Sequence, residues 1–275
     1  MNPIGCLFER NDLQGIELPP TLATLYGGNL GAPRPGLYAN FVASTDGVVA
    51  LPIAAESGAV ISGESEPDRF VMGLLRAVAD AVLIGAGTFR AGAGDRWLPE
   101  AAFPAAADDF ATLRKQLGLR PRPLLVVVSG SGNIDVTQPA LDDCLILTTP
   151  EGEARLRGQL PDGARTAVPS TPLRRCQGWL DLLRQQGLET ILCEGGPTVL
   201  GELLKAKLVD ELFLTTSPRL FGRRSGDGRK SLIEGFDLAG RKMDLLGIRR
   251  YESYLFLRYG FGRPSAGSLV QPSFA

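Results

Sequence analysis

The 275-residue sequence contains no histidine. The chain therefore lacks both the commonest general base and the commonest metal ligand of proteins. A Ser-His-Asp triad, a zinc site built on histidine and a thiol activated by histidine are all excluded. Any chemistry must come from Asp, Glu, Lys, Tyr, Cys or a bound cofactor, and we expect no metal.

The chain also lacks the features that indicate a membrane or a nucleic acid as a partner. No stretch approaches the roughly 18 consecutive apolar residues that a membrane helix needs. There are 29 Lys and Arg against 30 Asp and Glu, so the net charge of −1 provides no overall attraction to nucleic acid or to an anionic membrane. The opening residues MNPIGCLFER show no basic region followed by an apolar core. We therefore expect no signal peptide and a cytoplasmic protein.

Cysteine is scarce, with four residues at positions 6, 144, 176 and 193 and no CxxC pair. Cys144 and Cys193 lie in apolar runs, where cysteine behaves as a small hydrophobic residue. A disulfide framework is not expected in a chain of this size without a signal peptide. The sequence therefore predicts buried free thiols.

Short apolar runs alternate with amphipathic segments along most of the chain. Strands are predicted over 37–44, 81–84, 123–132, 143–150, 190–193, 210–222 and 249–260, and helices over 66–80, 172–187 and 199–204. This alternation indicates an α/β fold with a mostly parallel central sheet and helices on both faces. The terminal strand follows without a long helix, so we expect it to be antiparallel and at an edge.

The chain divides into three parts by composition. Residues 1–35 show little periodicity and are interpreted as an N-terminal arm, and residues 36–260 as one domain. Residues 261–275 are rich in Gly, Pro and Ser and are predicted to be a loose tail.

Three glycine-containing turns follow predicted strands, at GAGT (85–88), SGSG (129–132) and EGGPT (194–198). Turns at the carboxyl ends of parallel strands converge on one edge of the sheet. A helix that begins after Gly195 and Gly196 directs free N–H groups and its positive dipole end there, which suits a phosphate or pyrophosphate. Thr88, Ser129 and Thr198 would add hydroxyl donors. Neither GxGxxG nor GxxxxGK[ST] is present, and each turn taken alone is equally compatible with ordinary turn chemistry.

Four segments resemble, in wording and order, the pyrimidine reductase domain of riboflavin biosynthesis. They are NFVASTDGVVA, DRFVMGLLRAVADAVLIGAGTFRA, VVVSGSGNID and CEGGPTVLGELLKAKLVDELFLTTSPRLFG. The resemblance implies a dihydrofolate-reductase-like fold and a homodimeric, NADPH-dependent oxidoreductase. In the pathway enzyme, hydride passes from the nicotinamide to the ribose C1 of 5-amino-6-(5-phosphoribosylamino)uracil.

The same resemblance implies roles for individual residues. Glu194 is expected to contact the substrate, as are Asn40 and Arg76, with the Arg76 guanidinium holding the substrate phosphate through a bidentate pair. Glu194, Asp46 or ordered water would deliver the proton, and the catalytic residues are predicted to be Glu194 and Asp46. The predicted cofactor-binding residues are Ala43 beside the nicotinamide and Gly85, Gly87, Thr88, Ser129, Gly195, Gly196, Pro197, Thr198 and Val199.

Structural explanations remain open for some of these residues. Asp46 also suits an Asp-Gly turn, Arg76 also suits the solvated side of a helix, and the basic segment 219–230 also suits a solvated loop. Glu194 is harder to explain in this way, because a carboxylate that ends a buried strand is costly without a partner.

Two departures from the family pattern leave the substrate and the nucleotide preference open. Gly92 stands where an acidic residue often follows the threonine of the first turn, and the nearest acid is Asp95. Gly130 follows Ser129, where some members place a basic residue within reach of the 2′-phosphate of NADPH. The alternatives are a dihydrofolate reductase on the same fold and a non-catalytic nucleotide-binding protein. The fused zinc deaminase of the family needs an H-x-E and P-C-x-x-C signature, which the given sequence lacks.

Overall fold

The computed structural model describes residues 1–13, 15–31, 35–53, 57–172 and 176–262. Its strands are β1 (Gly5–Glu9), β2 (Gly36–Ser44), β3 (Val48–Ala50), β4 (Ala81–Gly85), β5 (Leu124–Val128), β6 (Cys144–Leu147), β7 (Ala164–Ala167), β8 (Thr190–Cys193), β9 (Glu211–Ser217), β10 (Lys230–Ser231), β11 (Asp244–Tyr251) and β12 (Tyr254–Gly260). Its α-helices are α1 (Pro20–Tyr26), α2 (Ser57–Ser62), α3 (Glu66–Val78), α4 (Ala86–Ala91), α5 (Pro99–Ala102), α6 (Ala107–Gln116), α7 (Pro150–Leu156), α8 (Gln177–Gln185) and α9 (Pro197–Lys205). Residues 263–275 of the predicted tail lie outside the described residues.

Ten strands form one sheet in the order β1-β11-β12-β9-β2-β8-β4-β5-β6-β7, and β3 pairs separately with β10. From β9 to β7 the neighbouring strands run parallel. The pairs β9–β12, β12–β11 and β11–β1 are antiparallel. The predicted α/β fold with a mostly parallel sheet and an antiparallel edge is confirmed.

The antiparallel edge is wider than the single terminal strand that the sequence predicts. Residues 249–260 belong to a hairpin, because the chain reverses at a turn in which Glu252 adopts a left-handed conformation (φ 51°). β12 therefore lies between β11 and β9, and β1 is the outermost strand on this side.

The N-terminal segment contributes elements that its sequence does not predict. β1 pairs with β11, and α1 buries Leu22 and Tyr26. The buried Arg249 guanidinium lies 3.9 Å from the centroid of the Tyr26 ring and donates hydrogen bonds to the Tyr26 carbonyl oxygen and to Glu9. β1 and α1 thus attach the N-terminal segment to the sheet, while the division of the chain at residues 35 and 260 stays a prediction.

Helices cover both faces of the sheet, and strand β4 shows the alternation that this requires. Val82 and Ile84 belong to a hydrophobic cluster with side chains of α3 and α6, whereas Ala81 and Leu83 belong to a second cluster with α8 and α9. Both clusters consist of buried aliphatic and aromatic residues, as expected for a parallel sheet between two helical layers. In the described part of the chain, no helix combines the length and the apolar character needed to cross a bilayer.

The cysteines provide a first test of this packing. All four are free, with Cys6 exposed and the other three buried. Burial raises the pKa of Cys144 and Cys193 to about 12 and that of Cys176 to about 11. Because the thiolate is the reactive form, we expect a water-soluble thiol reagent at pH 8 to label Cys6 alone in the native protein. All four should react after unfolding, and rapid labelling of a second thiol in the native state would contradict the packing.

Candidate active site

The three glycine turns lie side by side at the carboxyl edge of the sheet. They follow β8, β4 and β5, which are consecutive neighbours. The Gly196 N–H donates a hydrogen bond of 2.8 Å to Thr88 Oγ1, so the turn after β8 is bonded directly to the turn after β4. The Glu194 N–H donates to the Leu83 carbonyl oxygen at 3.1 Å, which continues the β8–β4 pairing up to the site.

A buried ion pair joins α3 to the end of β8. Arg76 Nε and Nη2 both donate to Glu194 Oε2, at 3.0 and 2.8 Å, and Nη2 also donates to Asp95 Oδ2 at 3.2 Å. Nη1 donates to the Leu98 carbonyl oxygen at 3.3 Å. The side chains of Arg76 and Glu194 are only 2% and 7% exposed. These bonds direct the Arg76 guanidinium at Glu194 and Asp95, and its bidentate contact with a substrate phosphate stays a prediction.

The surroundings of this pair keep Arg76 positively charged and leave one oxygen of Glu194 without a hydrogen-bond donor among the described residues. Burial lowers the pKa of Arg76, but Glu194 and Asp95 together outweigh it and the net direction is upward. Burial raises the pKa of Glu194, against the opposing effects of Arg76 and of the Asn40 amide. Glu194 Oε1 is buried without a hydrogen-bond partner among the described residues. An unpaired buried oxygen of this kind is costly, and a ligand that donates a hydrogen bond would relieve the cost.

Asp95 brings a carboxylate to the ion pair although position 92 is glycine. A Cβ on Gly92 would lie 2.9 Å from the Trp97 ring, so the end of α4 is closed to a larger side chain there. Asp95 Oδ1 accepts a hydrogen bond from the Trp97 N–H at 2.8 Å, while Oδ2 faces Arg76. The segment between α4 and α5 thus supplies an acid three residues later than the family pattern leads us to expect. The sequence shows this acid but not its partner.

The Asp46 carboxylate is hydrogen-bonded to the backbone of a neighbouring loop. Its carboxylate accepts hydrogen bonds from the Ser44 hydroxyl and from the N–H groups of Phe221 and Gly222, the latter at 2.6 Å. These donors, the Ser44 hydroxyl most of all, lower the pKa of Asp46. The contacts tie the turn after β2 to the segment that follows β9. They account for Asp46 structurally, and its catalytic role stays a prediction.

Strand β2 lies beside Glu194 and carries Asn40 and Ala43. The Asn40 amide lies next to the Glu194 carboxyl group. Ala43 is buried three residues further along the strand.

Val42 pairs in register with Thr215 of β9. The carboxyl group of Asp68, in the first turn of α3, lies against the Thr215 hydroxyl. Asp68 does not stand out in the sequence, because Ser65 and Asp68 together form a typical helix-capping pattern.

The glycines of the turns are of two kinds. A Cβ on Gly195 would lie 2.4 Å from the backbone at the end of β4, and a Cβ on Gly85 would lie 2.9 Å from the Val199 side chain. Packing between the two turns therefore explains both. A Cβ on Gly87 would meet nothing within 4 Å, and the buried Ser129 Oγ has no partner among the described residues. A ligand bound here would fill the open space at Gly87 and would give the Ser129 hydroxyl a hydrogen-bond partner.

Helix α9 begins directly beside these features. Gly196 is its N-cap and Pro197 its first residue, and no side chain in the described part of the chain caps the helix. The backbone N–H groups of Thr198 and Val199 belong to its first turn, where an α-helix leaves its donors without intrahelical partners. Thr198 is exposed. The structure thus brings all the predicted cofactor-binding residues of 85–88, 129 and 195–199 to one edge of the sheet.

Comparison with known proteins identifies the family. Residues 35–257 match the model of the RibD C-terminal domain. The chain belongs to the RibD C-terminal domain family. A protein of Archaeoglobus fulgidus named 2,5-diamino-6-ribosylamino-4(3H)-pyrimidinone 5′-phosphate reductase is 27% identical over 197 residues, which cover 70% of this chain and 84% of that protein. The resemblance to the pyrimidine reductase domain of riboflavin biosynthesis is thereby confirmed.

Solved structures agree with the fold of a RibD C-terminal domain. A pyrimidine reductase-like protein of Corynebacterium diphtheriae superposes with a TM-score of 0.66 at 24% identity, over 88% of this chain and 99% of that chain. RibD of Acinetobacter baumannii gives a TM-score of 0.62 at 18% identity, over 88% of this chain and 60% of that chain. At these identities the superpositions show a shared fold.

The two kinds of glycine in this RibD C-terminal domain lead to opposite expectations. Gly195→Ala should destabilise the protein by about 1–3 kcal/mol or more, because the added methyl group meets backbone atoms that cannot move aside. Gly87→Ala should leave the melting temperature nearly unchanged, since its Cβ faces open space. Thermal unfolding of both variants measures the difference. Equal stability of the two would contradict the close packing of the turns.

Proposed function

We propose that this chain is an NADPH-dependent reductase of riboflavin biosynthesis that transfers hydride to the ribose C1 of 5-amino-6-(5-phosphoribosylamino)uracil. The observation that carries the proposal is the buried Glu194 carboxylate, held by Arg76 at the carboxyl edge of the sheet with Oε1 unpaired. Membership of the RibD C-terminal domain family and the name of the Archaeoglobus fulgidus relative support the reaction class.

The residues at the three turns fit a dinucleotide cofactor. The first-turn N–H groups of α9 suit its pyrophosphate, Gly87 leaves room for the backbone to approach it closely, and the Ser129 hydroxyl is available to the adenosine side. Ala43 would lie beside the nicotinamide. When bound, the reduced nicotinamide supplies the hydride. The preference for NADPH over NADH belongs to the proposal, since Gly130 carries no charge for a 2′-phosphate.

The chain's own contribution is to orient the substrate and to place charge near it. Arg76 fixes Glu194 through two hydrogen bonds to Oε2, so Oε1 is aimed without further reorganisation. We infer that Oε1 accepts a hydrogen bond from a substrate hydroxyl or amine, with Asn40 as its neighbour. A carboxylate held in one orientation lowers the entropic cost of reaching a reactive geometry.

A second candidate substrate comes from the relative's name. The Archaeoglobus fulgidus protein is named for a diaminopyrimidinone ribosyl phosphate, which keeps the 2-amino group that the aminouracil lacks. Both compounds carry the same ribosyl phosphate. The choice between them rests on contacts with the pyrimidine ring, and both belong in the same assay.

The test is a fluorescence titration of the purified protein with NADPH and with NADH, followed by turnover with both pyrimidines and with dihydrofolate. We expect NADPH to bind more tightly than NADH and to be oxidised by a ribosylaminopyrimidine phosphate. Oxidation by dihydrofolate alone would favour the pterin alternative. Binding of NADPH without oxidation by any of the three would overturn the proposed reaction.

We also propose that the protein works as a homodimer. On β9, β11 and β12, one face of the antiparallel edge carries partly exposed apolar side chains, namely Leu214, Ile248, Leu255, Leu257 and Tyr259. Phe256 alternates with them and is buried on the opposite face. A two-fold related copy could cover the exposed face. Light scattering coupled to gel filtration measures the mass, and a monomer at micromolar concentration would contradict this proposal. The cytoplasmic location stays a prediction.

A further inference from the structure

Asp68, in the first turn of α3, is a carboxylate to which the proposed reaction has assigned no role. Its backbone N–H donates to Ser65 Oγ at 3.4 Å, so the start of α3 is capped by a serine hydroxyl and a backbone group. The carboxyl group of Asp68 lies against the Thr215 hydroxyl instead, and it is near enough to Glu194 for the two carboxyl groups to repel each other. The side chain is therefore directed at β9 and takes no part in the cap.

The strand register places this group on the same side of the sheet as Glu194. Thr215 is 2% exposed and pairs with Val42, which lies two residues after Asn40 and so faces the same way. Asn40 is the neighbour of Glu194 on that side. Asp68 and Glu194 therefore lie on the same side of the sheet, where α3 packs against β2 and β8.

The other acids of this edge already have firm partners. Glu194 and Asp95 share the Arg76 guanidinium, and Asp46 accepts backbone hydrogen bonds from the loop after β9. The carboxyl groups of these three residues are thus engaged in contacts that hold the fold together, whereas the carboxyl group of Asp68 meets the Thr215 hydroxyl.

The surroundings of Asp68 favour the protonated form. Burial, reinforced by repulsion from Glu194, raises the pKa of Asp68 to about 6, although the Thr215 hydroxyl and Arg69 act in the opposite direction. Arg76 lies between Glu194 and Asp95 and contacts both carboxylates. In the first turn of α3, near Asp68, Glu66 pairs with the amino group of Met1 at 3.6 Å. A carboxyl group with a pKa close to neutrality can both donate a proton and regain it from water.

We propose that Asp68 is the general acid of the reduction, an inference that rests on the function proposed above. The C1–O4′ bond of the ribosyl group breaks as C1 receives the hydride that a bound nicotinamide would supply. The proton of the Asp68 carboxyl group passes to O4′, which becomes a hydroxyl group of the ribityl chain. The substrate gains one hydride and one proton, and Asp68 is left ionised until it takes a proton from water.

The test compares Asp68→Asn with Asp108→Asn, which makes the same change of charge at an exposed position in the first turn of α6. Single-turnover hydride transfer in Asp68→Asn should fall by about 100-fold or more, the usual contribution of a general acid. The control should stay within about two-fold of the unmodified protein. The Kd for NADPH and the melting temperature, which report cofactor binding and folding, should change little in both variants.

The pH dependence gives a readout that a purely structural role would not move. In the unmodified protein the transfer rate should decline above about pH 6, as Asp68 loses its proton, and this decline should be absent in Asp68→Asn. Carbon NMR of the aspartate carboxyl groups should show one group titrating near pH 6 that disappears in the variant. An unchanged pH profile, or an Asp68 signal that titrates near pH 4, would overturn the inference while the reductase function stands. If the unmodified protein binds NADPH and reduces neither pyrimidine, the proposed function itself fails.

Discussion

Replacing Glu194 by Gln is expected to lower kcat by about 100-fold or more, while the Kd for NADPH changes by less than about three-fold. The amide keeps the size of the side chain, but it removes the negative charge that the proposed function places beside the reacting carbon. It also puts an NH2 group where Arg76 or the ligand now meets an oxygen. Cofactor binding should persist, because the turns at 85–88 and 129–132 and the start of α9 are unaltered.

Glu189→Gln is the matched control, since it makes the same chemical change at an exposed site just before β8. Its kcat should equal that of the unmodified protein. Steady-state kinetics of the two variants, with the nucleotide titration beside them, separate catalysis from binding. Unchanged turnover in Glu194→Gln would rule out a catalytic role for this carboxylate.

Replacing Arg76 by Met is expected to destabilise the protein by about 3–5 kcal/mol, the usual effect of removing one partner of a buried ion pair. Glu194 and Asp95 would both lose the guanidinium that now lies within 3.2 Å of each of them. Arg155→Met removes an exposed arginine from α7 and should change the stability by less than about 0.5 kcal/mol. Urea unfolding of both variants gives the comparison.

The deficit of Arg76→Met should also depend on pH. Burial already raises the folded-state pKa of Glu194, and loss of the cation removes the main effect that opposes this rise. Stability in such a case is fully present below the unfolded pKa and is lost as the pH rises through the folded pKa. The variant should therefore recover part of its stability between pH 7 and pH 5. A deficit under about 1 kcal/mol, or one independent of pH, would show that the buried pair is not what holds this end of β8.

Much of the central sheet follows from the sequence because hydrophobic patterning is a local signal. The helix predicted over 66–80 is present as α3, and its end at Val78 is set by β4, which begins at Ala81. The turn at Asp46 and Gly47 is present, with Gly47 in the left-handed conformation at φ 81°. Strands β4, β5, β6 and β8 are buried apolar runs, and such runs are recognisable wherever they occur.

The N-terminal strand is missed because its pattern carries no such signal. Every residue of β1 except Glu9 is exposed, with Leu7 at 60% and Phe8 at 43%, so no face of the strand is distinguished by apolar residues. Its pairing with β11 joins residues more than 200 positions apart. A contact of that range depends on the finished sheet and is not visible in a window of sequence.

The candidate site is predictable in its residues but not in its bonds. Glu194 and Arg76 can each be named from the resemblance, yet they lie 118 positions apart and their pairing depends on α3 packing beside the end of β8. The phosphate contact of Arg76, which the resemblance implies, stays a prediction. Asp68 does not stand out in the sequence, because the helix-capping pattern of Ser65 and Asp68 already accounts for it. Its contact with Thr215 of β9 depends on the folded structure.

The measurement that tests the central claim most directly follows deuterium from NADPH labelled at the transferable position of the nicotinamide. After reaction with 5-amino-6-(5-phosphoribosylamino)uracil, mass spectrometry and NMR should find one deuterium in the product, at C1 of the ribityl chain. That result would establish both the cofactor and the carbon that it reduces. NADPH that binds but is not oxidised, or label found at any other carbon, would contradict the account.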